Sequence, residues 1–451
     1  MEQSRRTFIK KTAITTTALA LGTPVVKGVS KDQKPISPND KIRVGVIGCN
    51  GMGWSNMNSM LKNKVVDCVA LCDVDENVLK RRSENVKEQR GNTPKLYKDY
   101  RQLIADKNID AVIVGTPDHW HCLPMVESVQ AGKHVYVEKP IANTIEECNL
   151  MVAAAKQSGK IVQVGQWQRS GTHYKAAIDI VRSGKLGNIR LVKVWAYQGW
   201  MKPVNKVADS AAPKGVDYDF WLGPAPRRTF NKNRFHFNFR WFWDYAGGLM
   251  TDWGVHEIDI ALYAMQAIAP ISVMATGGKL AYPEDASETP DTLQAVFQYN
   301  DFNMLWEHAT GIDQGPYGRR EGIAFIGNNG TLIVNRNGYE VLVERVSKGY
   351  SSWGEDKMER IEKVERPKGV SYLDLHTKNF IEAIQSNDAS ILKTPIESGS
   401  VAAINAQMGN IAYKTGRKVY WNPTKGKFIK NKQANKLIKA KYHNGWKLPK
   451  I

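Results

Sequence analysis

Cysteine is scarce in this chain of 451 residues, and no two cysteines have the Cys-x-x-Cys spacing of a metal or redox site. All five lie in the first half of the chain, on or beside predicted strands and helices. The pattern argues against a disulfide framework and a zinc site, and it favours small buried side chains. These residues are Cys49, Cys68, Cys72, Cys122 and Cys148.

Long apolar runs are also missing. The one mildly apolar stretch near the start, at residues 12–22, is short and contains four threonines. A membrane-spanning helix needs about 20 apolar residues. The sequence therefore predicts no membrane span.

Acidic residues are few relative to basic ones. The chain has 44 Asp and Glu against 63 Lys and Arg, a formal charge of +19, and residues 422–451 hold nine lysines and no acid. Such a balance attracts nucleic acid, anionic lipid or acidic substrates. No nucleic-acid motif accompanies it, so we expect no nucleic-acid partner. A solvated lysine-rich surface and attraction to an anionic glycan both stay open. We expect the basic tail at 422–451 to wrap a partner subunit or its own fold.

Strands and helices alternate between residues 41 and 165, and the strands are continuous apolar runs. This is typical of a parallel sheet with helices on both faces, so the region is predicted to be a doubly wound Rossmann domain. From 166 to 421 the pattern changes to helices and several strand-like runs. Here we predict a second α/β domain with a large, mostly antiparallel open sheet. The fold class is α/β.

A glycine-rich turn follows the first predicted strand and opens a helix at residues 48–53, GCNGMG. It is a GxGxxG motif with Asn50 at the second glycine, and Asn tolerates the left-handed conformation better than most residues. Asp73 ends the second strand about 20 residues later, where an acid binds the adenosine ribose. The combination predicts a bound NAD, although spacing leaves NADP open. The residues predicted to bind this cofactor are Gly48, Asn50, Gly51, Met52, Gly53, Asp73, Thr116, Pro117, Asp118, His119, Trp120, His121, Glu138, Lys139 and Gln166.

His119 and His121 have the spacing of a metal pair, but no third ligand lies at a suitable spacing. Both fall in the loop after the third predicted strand, at the sheet edge where open α/β sheets bind ligands. We therefore expect no metal.

These motifs resemble the Gfo/Idh/MocA family, named for glucose–fructose oxidoreductase and inositol dehydrogenase. The likeness rests on residues 48–53, 116–121, 132–140 and 247–259 and runs from about residue 41 to 421. The resemblance implies that the open antiparallel sheet mediates a homodimer or homotetramer. It also implies that an arginine near the start of the second domain, here Arg169, faces substrate or cofactor. A helix-surface salt bridge is the alternative role for Arg169.

Oxidation of a sugar hydroxyl needs a base for the proton and a cation for the developing alkoxide. Asp252 and His256 stand four residues apart, on one predicted helical turn, and His256 has a suitable pKa near neutrality. By spacing alone, His256 is equally explained as a core histidine that caps Asp252. The resemblance assigns catalytic roles to Lys139, Asp252 and His256.

The stretch at 227–245 is dense in arginine and aromatic residues. Aromatic faces stack on the CH surfaces of sugars, and arginine and histidine donate to hydroxyls or carboxylates. Packing within the core is the alternative. The predicted substrate-binding residues are Arg169, Tyr174, His236, Arg240 and Trp241.

The N-terminus reads SRRTFIKK at residues 4–11, which is typical of a twin-arginine export signal. We predict a signal at 1–30, a linker at 31–40 and a periplasmic protein. That route carries folded proteins, so we expect a tightly bound cofactor. The predicted function is oxidation of a sugar or glycoside to a keto-sugar. The alternatives are a redox-neutral NAD-dependent glycosidase, which is expected to lack the equivalents of Lys139 and Asp252, and a non-catalytic binding protein.

Overall fold

Six parallel strands form the first sheet of the computed structural model, which describes residues 41–451. The predicted signal at 1–30 and linker at 31–40 lie outside the described residues. The strand order β3-β2-β1-β4-β5-β6 is that of a dinucleotide-binding sheet, which confirms the predicted Rossmann architecture. The elements are β1 (Ile42–Ile47), α1 (Gly51–Met60), β2 (Val66–Cys72), α2 (Glu76–Arg90), β3 (Lys95–Tyr97), α3 (Tyr100–Ala105), β4 (Ala111–Val114), α4 (Cys122–Gln130), β5 (His134–Val137), α5 (Ile145–Ser158) and β6 (Val162–Val164).

Burial of the apolar strands holds this sheet between two helical layers. Every residue of β4 is buried, and one face of the sheet packs against α3, α4 and α5. On the other face α1 and α2 leave room for a helix from far along the chain. Its Phe380 and Ile381 are fully buried in one cluster with side chains of the sheet, and the Phe380 ring packs edge-on against Tyr136 of β5. Each such side chain stabilises the fold by about 1.5–3 kcal/mol. The C-terminal half therefore completes the core of the N-terminal sheet.

Ten strands form the second sheet, in the order β16-β13-β12-β11-β7-β10-β9-β8-β17-β18. Only the β7–β10 pair is parallel within this sheet, which confirms the mostly antiparallel prediction. The remaining elements are α6 (Thr172–Arg182), β7 (Leu191–Gln198), α7 (Tyr218–Leu222), α8 (Leu249–Asp252), α9 (Gly254–Met265), β8 (Ser272–Gly278), β9 (Thr292–Gln298), β10 (Asn303–Thr310), β11 (Glu321–Ile326), β12 (Gly330–Asn335), β13 (Gly338–Val343), β14 (Arg345–Ser347), β15 (Trp353–Asp356), β16 (Val364–Glu365), α10 (Tyr372–Ser386), α11 (Ile396–Thr415), β17 (Val419–Asn422), β18 (Lys427–Phe428) and α12 (Lys432–Leu437).

The two faces of the second sheet differ. One face packs against α6, α9 and α11 around buried side chains such as Phe297 and Trp306. The other exposes Leu191, Met274 and Val296, which the strand register places on the same side. No helix between residues 41 and 451 combines the length and apolarity needed to cross a membrane.

The basic tail folds onto its own chain. Tyr442 donates to Glu147 at 2.7 Å, and the backbone N–H of Ala440 donates to Glu146 at 2.9 Å. Trp446 packs edge-on against Trp120, with ring centres 4.9 Å apart. Of the two expected roles, the structure shows packing on the tail's own fold.

Candidate active site

A cavity lies at the carboxyl ends of the parallel strands, where open α/β sheets bind ligands. Its walls come from the turn after β1, the loops after β4 and β5, and a segment of the second domain at residues 235–240. The predicted site residues that line it are Gly48, Asn50, Gly51, Met52, Asp73, Thr116, Pro117, Asp118, Trp120, His121, Glu138, Lys139, His236 and Arg240.

The glycine-rich turn brings backbone segments into close approach. A Cβ on Gly48 would stand 2.7 Å from the backbone of Gly115, and one on Gly53 would stand 1.9 Å from the Gly48 carbonyl oxygen. The expectation of a left-handed Asn50 is wrong: Asn50 is extended at φ −97°, and Gly51 is left-handed at φ 44°. Helix α1 begins here without a side-chain cap, so its first N–H groups suit an anion.

Asp73 lines the cavity at the end of β2. Its carboxylate accepts hydrogen bonds from the backbone N–H of Cys49 at 2.7 Å and of Asp75 at 3.0 Å. Burial raises the pKa of Asp73, while these hydrogen bonds act to lower it. Each carboxylate oxygen has a second lone pair for a ribose hydroxyl. The close-packed glycines, the uncapped helix and Asp73 together fit the pyrophosphate and adenosine ribose of NAD.

Lys139, Asp252 and Arg240 form a charged cluster beside the cavity. The Lys139 ammonium donates to the Asp252 carboxylate at 2.8 Å and to its backbone carbonyl at 2.9 Å. Arg240 Nε donates to the same carboxylate oxygen at 3.2 Å. Burial acts to raise the pKa of Asp252, but the two cations outweigh it and hold that pKa at about 2. Two cations thus share one carboxylate, an arrangement that can stabilise a developing alkoxide.

His256 lies near this cluster and is 6% exposed. Its Nδ1 has no hydrogen-bond partner among the described residues. Burial lowers the pKa of His256 well below its usual range, and Lys139 and Arg336 act in the same direction. This corrects the expected pKa near neutrality: the ring is neutral, and it is a weaker base than a free imidazole. Trp253 lies between the end of α8 at Asp252 and the start of α9 at Gly254, and its backbone keeps the right-handed helical conformation, with φ −85° and ψ −36°.

The loops after β4 and β5 are anchored by buried polar groups. The ring nitrogens of His121 lie 2.6 Å from the Pro140 carbonyl oxygen and 2.7 Å from that of Thr116. Glu138 accepts a hydrogen bond from Asn56 at 2.8 Å. Burial raises the pKa of Asp118 to about 7, against the opposing charges of Arg240 and Lys139. These contacts fix the wall around Lys139.

His236 contacts the nucleotide end of the cavity. Its Nδ1 lies 3.4 Å from Asn50 Nδ2, and its Nε2 lies 3.2 Å from the Asp75 carboxylate. His236, which was predicted to bind substrate, lines the cavity beside the glycine-rich turn. Its backbone is left-handed, with φ 52°, which turns the segment at 235–240 over the cavity.

Arg169 does not line the cavity. Its guanidinium makes a two-point ion pair with Asp259, at 2.6 and 2.8 Å, and donates to Ser398 at 3.0 Å. The two charged side chains are only 9% and 2% exposed. This corrects the expectation that Arg169 faces substrate or cofactor, because its donors are committed to a buried carboxylate.

Other predicted residues are buried outside the cavity wall. Tyr174 is fully buried and accepts a hydrogen bond from Gln168, and Trp241 belongs to an aromatic core. Gln166 donates to the carbonyl of Val255 at 3.0 Å. His119 faces the carbonyl of Trp221 at 3.1 Å. These positions correct the direct binding predicted for Tyr174, Gln166 and His119, because their polar atoms lie in the protein interior, and Trp241 does not line this cavity.

Several residues that line the cavity were not predicted. Lys98 and Tyr100 follow β3, a strand of three residues that carries no periodic signal. Phe220 and Trp221 lie shortly before the aromatic-rich stretch at 227–245, and their spacing does not separate cavity from core. The chain between 41 and 451 contains no group of three or more His, Cys, Asp or Glu arranged for a metal, and the five cysteines are free and buried.

Comparison with known proteins identifies the family. Residues 42–166 match the model described as "Oxidoreductase family, NAD-binding Rossmann fold" and residues 170–303 that described as "Oxidoreductase family, C-terminal alpha/beta domain", both of the Gfo/Idh/MocA family. The "Glycosyl hydrolase family 109 protein" of Shewanella baltica is 29% identical over 201 residues, 41% of this chain and 44% of the relative. The chain thus matches less than half the length of this relative.

Two solved structures share the fold. The WlbA dehydrogenase from Bordetella pertussis, in complex with NADH and UDP-GlcNAcA, is 20% identical with a TM-score of 0.60, over 85% of this chain and 99% of that one. Aldose–aldose oxidoreductase from Caulobacter crescentus is also 20% identical with a TM-score of 0.60, over 84% and 100%. With its dinucleotide sheet, its NAD-fitting turn and both matching domains, this chain belongs to the NAD-binding Gfo/Idh/MocA family of oxidoreductases.

Proposed function

We propose that this protein oxidises a hydroxyl of a sugar ring or glycoside to a ketone, with NAD as the hydride acceptor. The observation that carries the proposal is the cluster of Lys139, Arg240 and Asp252. It stands beside the cavity that also contains the glycine-rich turn. A hydroxyl placed there meets two cations and has His256 nearby as a base.

The chemistry follows from these positions. The substrate O–H bond breaks and its proton goes to the neutral imidazole of His256. The Lys139 ammonium donates a hydrogen bond to the oxygen as negative charge develops on it. The C–H bond breaks with both electrons leaving as hydride, which NAD accepts when bound, and a C=O bond forms. Asp252 keeps the Lys139 ammonium in place.

Exposed aromatic rings support a sugar as substrate. Phe237 lines the cavity and is 52% exposed, and Trp200 is 47% exposed with its ring centre 6.2 Å from that of Phe237. Arg240 stacks 4.7 Å above Phe237. Apolar ring faces beside hydrogen-bond donors suit the CH surface and hydroxyls of a sugar. The sugar ligands named for the structural neighbours add support.

Export and assembly are part of the proposal. The SRRTFIKK signal supports a periplasmic enzyme that leaves the cytoplasm folded and keeps its NAD. The apolar face of the second sheet, with Leu191, Met274, Val296 and Leu342 exposed, supports a homodimer or homotetramer. Light scattering of purified protein tests the assembly, and a monomer would contradict it. Cell fractionation of the wild type and a variant with Arg5 and Arg6 both changed to Lys tests export.

A redox-neutral glycosidase is the second candidate, favoured by the relative named a glycosyl hydrolase. In that reaction transient oxidation acidifies a neighbouring C–H bond, elimination expels the aglycone, and the hydride returns. Lys139 and Asp252 favour net oxidation over this route.

One experiment separates these functions. Protein from the exported fraction is denatured and the released nucleotide identified by mass spectrometry, and the native protein is then given sugars and aryl glycosides. Oxidation predicts bound NAD, a keto-sugar and net NADH. The glycosidase predicts aglycone release with no net NADH and, in heavy water, deuterium on the sugar. A protein that binds no nucleotide contradicts both.

A further inference from the structure

Arg336 lies against two tryptophan rings close to His256. Its guanidinium carbon is 4.5 Å from the ring centre of Trp167 and 4.3 Å from that of Trp253. The same two rings lie 5.9 and 6.3 Å from the ring of His256. Arg336, Trp167 and Trp253, here called the Arg336 cluster, are all partly exposed. A cation flanked by two flat apolar surfaces therefore stands next to the proposed base.

The charge of Arg336 is not paired. Its Nε and Nη2 donate to the side-chain oxygen of Gln168 at 3.2 and 3.0 Å. No carboxylate between residues 41 and 451 forms an ion pair with it within 4.0 Å. The nearby acids are Glu257 and Glu321: burial raises the pKa of Glu257 to about 8 and also raises that of Glu321. Glu257 is therefore protonated at neutral pH, and Glu321 is the acid whose charge acts on the guanidinium, from beyond ion-pair distance.

A guanidinium that lies between indole rings, with no carboxylate within ion-pair distance, can bind an oxyanion. Its planar fork matches a carboxylate in a two-point hydrogen bond. The rings hold the fork and exclude water, which strengthens the charge–charge attraction. The opposite faces of flat rings also suit the CH surface of a sugar. The net charge of +19 attracts such substrates over a distance.

We propose that the Arg336 cluster is a subsite for a carboxylate carried by the substrate, so that the enzyme prefers hexuronic acids and their glycosides to neutral hexoses. The inference rests on the proposed function, because it places the sugar beside His256. It goes further because it names one residue, Arg336, that recognises the charge of the substrate. Arg336 acts as a specificity residue.

The test compares matched sugars on the full chain loaded with NAD. Isothermal titration calorimetry measures binding of methyl glucoside, methyl galactoside and methyl mannoside, of the three corresponding methyl hexuronosides, and of methyl glucoside 6-sulfate. We expect a hexuronoside to bind about ten- to a hundredfold more tightly than its neutral partner. In Arg336→Gln this preference is expected to vanish, and in Arg336→Lys, which keeps the charge but not the fork, to shrink.

Arg182→Gln is the matched control, because Arg182 also stacks on an aromatic ring, at 4.4 Å from Tyr263, but does not contact the cluster. It is expected to keep the preference, and thermal melts show which variants are folded. Equal binding of hexosides and hexuronosides, no binding of any hexuronoside, or a preference that survives in Arg336→Gln overturns the proposal. Tighter binding of the sulfate overturns it in favour of a sulfate subsite. Oxidation of neutral hexosides without preference leaves the proposed function standing, whereas a uronoside preference without NAD reduction counts only against oxidation.

Discussion

Asp252 and Asp259 sit seven residues apart, one just before α9 and one within it, and both are bound by an arginine. Asp259 meets Arg169 alone, in an ion pair enclosed by protein. Asp252 is shared by Lys139 and Arg240, and both cations line the cavity. An acid bound by basic side chains is thus enclosed by protein at Asp259. At Asp252 the basic side chains line the cavity, where a substrate can reach them. What distinguishes them is whether the cations face a space that a ligand can enter.

A third carboxylate, Glu257, lies between these two in the sequence and shares α9 with Asp259. It has no cation partner within ion-pair distance in the described chain, and its Oε2 has no hydrogen bond there. Its raised pKa keeps it neutral at pH 7. The three acids therefore differ in their partners: Asp252 is shared by two cations, Glu257 is protonated, and Asp259 is paired with one arginine.

Removing the cavity cation is the largest expected effect. Lys139→Met leaves Asp252 paired only with Arg240, and loses the donor to the reacting oxygen. We expect kcat/KM for the best sugar to fall by about 10²–10⁴-fold, with little change in thermal stability. Lys62→Met is the matched control, because Lys62 pairs with Asp374 on the surface at 2.7 Å. Comparable activity of the two variants would contradict the conclusion that the cavity-lining cations at Asp252 take part in the reaction.

Removing the enclosed cation should cost stability instead. Arg169→Met leaves the Asp259 charge buried and unpaired, which is expected to destabilise the fold by about 3–5 kcal/mol. Urea denaturation measures the change. The double variant Arg169→Met with Asp259→Leu should recover part of it, because no charge is then left buried. A wild-type stability together with lost activity would show that Arg169 acts at the site after all.

Glu257→Gln tests, through the pH dependence of stability, whether Glu257 differs from the two charged acids by being protonated in the folded protein. The folded state holds the Glu257 proton up to about pH 8, whereas the unfolded chain releases it near 4.5. Between these values the folded state binds more protons, so this group makes stability fall as pH rises. The variant should gain on the wild type by up to about 1.4 kcal/mol per pH unit across that window. Urea denaturation at several pH values measures this. Glu382→Gln, at a surface pair with Lys378, should show no such slope.

Trp446→Ala removes a ring of the C-terminal tail that supports the cavity wall, and it has the smallest expected effect. Trp446 packs on Trp120 and Phe220, which line the cavity, at 4.9 and 5.7 Å. We expect a loss of about 1–2 kcal/mol, because the ring is partly exposed, and faster release of NAD. Stopped-flow displacement measures that release. Trp353→Ala, on an exposed strand, should leave release unchanged, and equal rates in the two variants would contradict a supporting role for the tail.

Local patterns predicted the Rossmann half well. The apolar runs at 42–47 and 134–137 and the helical pattern at 145–158 predict β1, β5 and α5 with the bounds that the structure has. In the second domain, the pattern at 254–265 does the same for α9. β3 was missed, since three residues with two exposed side chains carry no period. Tolerance of the left-handed conformation explained Asn50 in the motif, but the left-handed residues of the turn are Gly48 and Gly51, because the motif does not specify which residue turns.

The candidate site was predicted only in part. Lys139 and Asp252 came from motif likeness, and the structure brings them together across 113 residues of chain. Arg169 and Tyr174 are polar residues in a plausible place, but burial turned them inward. Arg336 carried no local signal, because its neighbours Trp167 and Trp253 are remote in sequence.

The sequence by itself determined the strand–helix alternation, the dinucleotide turn, the acid at the end of β2 and the export signal to be tested. Each depends on backbone conformations and side chains within a short stretch of chain. The tertiary structure alone decided which of Asp252, Glu257 and Asp259 is bound by cations that line the cavity, which cations share a carboxylate, and where His236 lies. Those outcomes depend on burial and on partners tens to hundreds of residues away, which periodicity and spacing do not encode.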